Sequence, residues 1–195
     1  MFNKFPQVDV SGFDDQAFSG YQAIAKEIKG NLNSGTNVVA VECYPGVRTD
    51  EVIAGLEKEI KFDKVFVAED CAISGDEITK LIERNLTDDR VFGVISHHNL
   101  NEFFVDEKIN EVRKEIDSST GNYLVIGVGA TLVCEPTIMV YADLARWEIQ
   151  QRYRSGELAN WKMDNHDEEI LRKYTRGCSV EWRMADRYKK TLVDT

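Results

Sequence analysis

Residues 37–52, NVVAVECYPGVRTDEV, set a run of β-branched side chains against a Tyr-Pro-Gly turn, after which an Arg-Thr pair opens a helical pattern. Strand, tight turn and helix start, in that order, are the parts of a phosphate loop. Laid on the pattern GxxxxGK[ST], Glu42 takes the first Gly, Val47 the second, Arg48 the Lys and Thr49 the hydroxyl residue. Arg48 and Thr49 keep a cation for phosphate oxygens and a hydroxyl for Mg²⁺. Both glycines are replaced, and they are what lets such a loop turn its N–H groups inward. Glu42 adds a carboxylate at the rim, where it repels a triphosphate. Pro45 and Gly46 still form a tight turn, and the helix start behind them offers a weak anion site. The stretch therefore predicts anion binding at Gly46, Arg48 and Thr49 without ordinary ATP hydrolysis. The plain alternative is a turn that only joins a strand to a helix.

Working outward, strand and helix patterns alternate. A short amphipathic helix spans 20–30, with Ile24 and Ile28 on one face, and NVVAVEC is a strand followed by a helix over 49–60. DKVFVAED is the next strand; SGDE then supplies a capping box from Ser74 to Glu77 for a helix over about 74–85. RVFGVIS reads as a third strand, 106–116 as a helix, NYLVIGVG as a fourth strand and TIMVYAD as a fifth that runs into a helix over 144–154. The apolar runs VVAV, VFGVI and YLVIGV suit strands buried on both faces. The pattern predicts an α/β fold: an open, mostly parallel, three-layer sheet of about five strands with helices on both faces. Residues 1–155 form that core, and 156–195 a small C-terminal appendage packed on it, with the seam at 156–160. There, 167–174 reads as a charged helix and CSVEWRM as an edge strand or the start of a last helix.

The net charge of −10 argues against nucleic acid or an acidic membrane as partner. It is unevenly spread: residues 143–195 hold 11 Lys+Arg against 10 Asp+Glu, leaving −11 on the first 142. Four cysteines, at 43, 71, 134 and 178, lack any CxxC spacing and suit reduced thiols in a cytoplasmic protein. Apolar runs fall short of the roughly 18 residues of a membrane span, and residues 1–13 carry no charged-then-apolar leader.

In open parallel sheets the ligand crevice lies beyond the carboxyl ends of the strands. The residues delivered there are Glu42, Cys43 and Tyr44, then Glu69 and Asp70, then Ser96, His97 and His98, then Gly127 and Gly129, then Asp143. From these, Glu42, Tyr44, Gly46, Arg48, Thr49, Asp70, His97 and Gly129 are the candidate ligand- and phosphate-binding positions. In YADLARWEIQQRYRSG, Arg146, Gln150 and Arg154 line one helical stripe, so Arg146 and Arg154 are candidates to close over an anion. Arg152 points elsewhere, with Glu148 four residues back as its partner. No catalytic residue and no metal ligand stands out: the adjacent His97 and His98 point apart in an extended segment. Cys43 reads as a small buried hydrophobe and the three tryptophans as packing anchors.

ECYPGV, LTDDRVFGV, YADLARWEIQQRYR, NWKMDN and RGCSVEWRMADRYK together resemble the N-terminal region of the long bacterial form of class I mannose-6-phosphate isomerase, over roughly residues 20–190. That resemblance implies a domain of the uridine-kinase, P-loop type preceding a zinc-binding cupin barrel that interconverts mannose 6-phosphate and fructose 6-phosphate. It also implies the cupin isomerase domain as a partner, with zinc as that domain's cofactor. No histidine and glutamate set with metal-ligand spacing follows Lys190, so the base and zinc of aldose–ketose isomerisation are not expected in this chain. The expected function is a degenerate P-loop-kinase-like domain that binds a phosphorylated ligand or a partner domain without phosphoryl transfer. The alternatives are an active sugar or nucleoside kinase with Arg48 for the usual Lys and Asp70 as base or Mg²⁺ partner, and a structural or homo-oligomerising module.

Overall fold

The computed structural model describes residues 6–13 and 16–193; residues 1–5, on which part of the leader reading falls, lie outside it. At its centre is β1 (Asn37–Cys43), with every residue buried. β1 pairs in parallel with β3 (Asn122–Gly127) on one side and β4 (Ile138–Ala142) on the other, and β2 (Lys64–Val67) pairs in parallel with β3. The order β2-β3-β1-β4 makes an open, all-parallel sheet whose connections cross over through helices.

The period of two along β1 divides the core. Val39 and Val41 face α1 (Tyr21–Gly30) and α2 (Thr49–Glu57), packing with Ala25, Ile28, Leu56 and Leu124. Val38 and Ala40 face the opposite way, toward Ile78 of α3 (Gly75–Leu81), Ile109 of α4 (Asp106–Asp117) and Val133 of α5 (Ala130–Val133). The SGDE box forms: Ser74 Oγ accepts the Glu77 N–H at 3.3 Å, and the Ser74 N–H donates to the Glu77 carboxylate at 2.9 Å. It ends sooner than predicted, with a 3₁₀ turn over Glu83–Asn85.

RVFGVIS is not a strand, and the sheet has four strands among the described residues rather than about five. The segment has β-forming residues, but Asp89 and Asn85 take the N–H groups of Val91, Phe92 and Val94, and the C-terminal helices bind the rest of its backbone, so no ladder forms. Ser96 N–H donates to the Ser179 carbonyl at 2.8 Å, and the Thr175 hydroxyl donates to the Arg90 carbonyl at 2.9 Å. A Cβ on Gly93 would lie 2.5 Å from Ser179 Oγ, so this approach requires glycine.

Beyond β4 come α6 (Arg146–Arg154), α7 (Ile170–Arg176), a π turn over Gly177–Glu181 and α8 (Trp182–Val193). CSVEWRM thus enters the last helix and forms no edge strand. Val180 and Met184 join the cluster built on Phe103 and Val125, while Trp182 and Ala185 pack with Tyr44, Ile149 and Tyr153. The residues after the seam therefore share the apolar core.

One buried carboxylate ties these elements together. Glu181, 3% exposed, accepts the Tyr153 hydroxyl at 3.2 Å, Asn160 Nδ2 at 3.1 Å and the Trp161 N–H at 3.1 Å, and faces Arg176 Nε at 3.3 Å. Removing one member of such a pair leaves the other charged, buried and uncompensated. Glu181→Ala is expected to cost about 3–5 kcal/mol in urea unfolding. Glu181→Gln, which keeps one acceptor oxygen, should cost less; equal, small losses for both would contradict the role.

Candidate functional site at the carboxyl edge of the sheet

Tyr44 to Arg48 join β1 to α2, and two of the backbone donors of this turn are taken by the protein. The Tyr44 N–H donates to the Ala142 carbonyl at 2.9 Å and the Val47 N–H to the Tyr44 carbonyl at 3.2 Å; Pro45 has no N–H. Gly46 sits at φ +99, a conformation that side chains obstruct, and a Cβ there would lie 3.0 Å from Leu158 Cδ2. Its carbonyl accepts Arg152 Nη1 at 2.8 Å. The turn thus presents an oxygen to a cation. Arg152, read from the sequence as pointing elsewhere, is the arginine of α6 that reaches this turn, while also keeping Glu148 at 2.9 Å as its spacing predicts.

Glu42 is not at the rim. It is 2% exposed, and its carboxylate accepts the Gly129 N–H at 2.6 Å, the Thr131 N–H at 2.9 Å and the Thr131 hydroxyl at 2.8 Å. These donors lie in the turn after β3 and draw the side chain into the sheet edge. Glu69 reaches the same turn from the 3₁₀ segment Ala68–Cys71, accepting the Val128 N–H at 2.8 Å. Gly127, at φ +130, admits it: a Cβ there would lie 1.9 Å from Glu69 Oε2. Gly129, a candidate anion donor, therefore gives its N–H to a protein carboxylate.

Above the turn lies a cleft of about 300 Å³, bounded by Pro45, Gly46 and Thr49 on the strand side and roofed by residues 157–163. Within it stand Glu69, Glu157, Asn160, Trp161, Lys162 and His166. Lys162, at φ +61, donates to the Glu69 carbonyl at 2.9 Å, and Glu69 Oε2 is buried with no hydrogen-bond partner. Arg48 forms a two-pronged pair with Glu157, Nε to Oε1 at 2.6 Å and Nη2 to Oε2 at 3.0 Å. This pairing holds the Glu157 carboxyl below its ordinary range. Arg152 Nε lies 3.7 Å from the same carboxylate. Thr49 lines the cleft, half-buried at the start of α2.

Other predicted positions are dispersed. Tyr44 lines the cleft, but its hydroxyl donates to Asp186 Oδ1 at 2.9 Å, and Arg146 pairs with the same carboxylate while its guanidinium lies 5.7 Å from the Trp182 ring centre. Arg154 lies outside, 5.8 Å from the Tyr174 ring centre. Arg146 and Arg154 do not close over the turn, because α8 and α7 supply them with nearer partners. Asp70 and His97 are exposed outside the cleft, and among the described residues no group of three His, Cys, Asp or Glu could hold a metal ion. Cys43 is buried, as read. The residues missed were Glu69 as an inward ligand of the β3 turn, and Glu157, Asn160, Trp161 and Lys162 as its roof. Glu69 was legible as a crevice residue at the carboxyl end of the second strand, and the sequence signal for the roof was the Gly156 break that places a loop after α6.

Burial raises the Glu42 carboxyl from 4.5 to about 7, against the lowering pull of its three donors. A carboxyl raised by folding holds a proton that the unfolded chain has released. Its contribution is thus fully present below about pH 4.5 and is lost as pH rises through about 7. Urea titrations between those limits should show the wild type losing about 3 kcal/mol more than Glu42→Gln. Parallel pH profiles would contradict this.

No curated protein matches the sequence. Among solved structures, the chain is similar to a "putative fructose transport system kinase" from Silicibacter sp. TM1040, with a TM-score of 0.52 and 12% identity over 88% of this chain and 95% of that one. At that identity the likeness shows the fold alone, and that fold is P-loop-kinase-like. No described helix is long and apolar enough to cross a membrane. A family model spans residues 20–195, and the chain belongs to that family, described as a domain of unknown function, DUF8485.

Proposed function

We propose that this chain is a degenerate P-loop-kinase-like domain that binds a sugar phosphate without transferring a phosphoryl group, and that it works beside a cupin-type isomerase domain in carbohydrate phosphate metabolism. The observation that carries the reading is the Arg48–Glu157 pair at the start of α2. A cation stands where the phosphate loop has its Lys, and a carboxylate from the roof occupies it as a phosphate would. Both side chains are about half exposed, at 50% and 40%, so solvent screens the pair and it holds the roof only weakly. A dianionic phosphate can displace Glu157 and gain Arg48, the Thr49 hydroxyl and the N-terminus of α2.

The cleft beside this pair, which Thr49 and Glu157 line and Arg48 borders from outside, suits the sugar end. Glu69, Asn160, Lys162 and His166 bring polar atoms to the same space. A volume of about 300 Å³ is at the lower limit for ligand pockets and favours a small metabolite over a nucleoside triphosphate. Against phosphoryl transfer stand the replaced glycines, the turn donors already in use, and Glu42 and Glu69 on the N–H groups of the β3 turn. The isomerase association rests on the word strings shared with the long bacterial mannose-6-phosphate isomerases, and the sugar-kinase-like neighbour is consistent with a sugar ligand.

Calorimetric titration with mannose 6-phosphate tests the reading. Binding is expected in the wild type, at least about tenfold weaker in Arg48→Ala through loss of a charge-assisted contact, and several-fold tighter in Glu157→Gln. Incubation with Mg-ATP and mannose should yield no ADP. Arg48-dependent ADP formation would instead establish the kinase alternative. Absence of heat with any hexose phosphate, in the wild type and in Glu157→Gln, would leave a structural module.

A further inference from the structure

We propose that Lys173 is the positioning residue of the cleft: it clamps the roof loop at both ends, so that the roof stands as a fixed wall and only the Glu157 side chain moves when a ligand enters. The inference rests on the reading of this cleft as the ligand site. Lys173 lies in the middle of α7 and is 1% exposed, and lysine is almost never buried to that degree without partners. Its ammonium donates to the Leu158 carbonyl at 2.7 Å and to the His166 carbonyl at 3.0 Å, and it stands 5.0 Å from the centre of the Tyr153 ring. An apolar side chain would fill the same core without the cost of desolvating a charge. What the ammonium adds is a fixed relation between two carbonyls at opposite ends of one loop.

Between those carbonyls the loop closes on itself. The Asn160 N–H donates to Asn165 Oδ1 at 2.8 Å, Asn165 Nδ2 donates to Asn160 Oδ1 at 2.9 Å, and the Met163 N–H donates to the Asn160 carbonyl at 2.9 Å. Asn160 Nδ2 reaches back to the Lys173 carbonyl at 3.2 Å, so the same residue holds the middle of the loop as well as its ends. This fixes Asn160, Trp161, Lys162 and His166, roof residues that line the cleft. Lys162 keeps its left-handed backbone, φ +61, because the frame around it leaves no other path. Glu157 falls just outside the clamp. Its backbone is pinned on either side, where His166 Nδ1 donates to the Gly156 carbonyl at 3.0 Å and the Leu158 N–H donates to the Arg152 carbonyl at 3.2 Å. Its side chain is 40% exposed, and its carboxylate meets Arg48 and Arg152. Exchange of that carboxylate for a ligand anion is therefore a side-chain rotation and needs no opening of the roof. A wall already in place loses little freedom on binding, and that is what Lys173 contributes to affinity.

Hydrogen exchange and calorimetry on the full chain test this with Lys173→Met, which keeps an unbranched side chain and removes its donors. Without ligand, the amides of residues 158–166 are expected to lose protection at least about tenfold while those of β1 and β3 keep theirs. Affinity of the folded variant for mannose 6-phosphate should fall about tenfold, with an unchanged circular dichroism spectrum. A merely structural lysine would instead lower protection across β1 and β3 alike and leave the affinity of the folded protein unchanged, and that result would overturn the proposal. Should Lys173→Met fail to fold, the wild type decides: a clamped roof protects the Asn160 and Met163 amides without ligand, whereas exchange as fast as in an unstructured peptide would overturn the clamp. Failure of the wild type to bind any hexose phosphate would overturn the ligand reading and with it the effect on affinity; the exchange pattern, read without ligand, still decides the clamp.

Discussion

Three donors from one turn hold the Glu42 carboxylate inside the sheet, and much of the molecule is arranged around that contact. Glu42 lies on the central strand, and its partners Gly129 and Thr131 lie in the turn after the neighbouring strand. The Thr131 hydroxyl also meets the Tyr188 hydroxyl of α8 at 2.7 Å, so the contact links the two central strands to the last helix. Glu69 completes it from the other side. At the carboxyl edge of a parallel sheet, N–H groups that could receive phosphate oxygens receive protein oxygens instead.

This division accounts for what was legible in the sequence. β1, β2, β3 and β4 carry near-continuous apolar runs because they are covered on both faces or sit beside strands that are, and each was readable. The capping box at Ser74 was readable because it depends on four consecutive residues. RVFGVIS misled because its composition is that of a strand, while its backbone is taken partly by the preceding turn, with Val91 and Phe92 N–H on Asp89 and Val94 N–H on the Asn85 carbonyl, and partly by Thr175 and Ser179 more than 80 residues away. Propensity does not register either competitor.

The site was legible to a similar extent. The loss of both glycines and the retention of Arg48 and Thr49 were visible by alignment to a motif. Where Arg48 points was not, since Glu157 comes from a loop that only the fold brings across. The α6 stripe was read correctly as a helix and wrongly as a lid: periodicity gives the face of Arg146 and Arg154 but not that Asp186, Trp182 and Tyr174 await them. Arg152, off that stripe, holds the Gly46 carbonyl. Charge spacing along one helix predicts partners within it and says little about partners across the fold.

Glu157 gives the cleft its present character. Its loop packs Leu158 against Gly46 and places Lys162 over the Glu69 backbone, so the roof closes on the turn through one exposed ion pair and a few contacts. Such a roof can exchange its carboxylate for a phosphate at little cost, whereas the Glu42 and Glu69 contacts beneath it are buried and stay. Recognition without transfer is the reading we propose for this arrangement. Phosphorus NMR of the chain with mannose 6-phosphate and Mg-ATP together tests it most directly. The account predicts that the sugar phosphate resonance shifts and broadens with added protein while the ATP resonances persist unchanged. Growth of ADP and of a new phosphate ester, lost in Arg48→Ala, would contradict it.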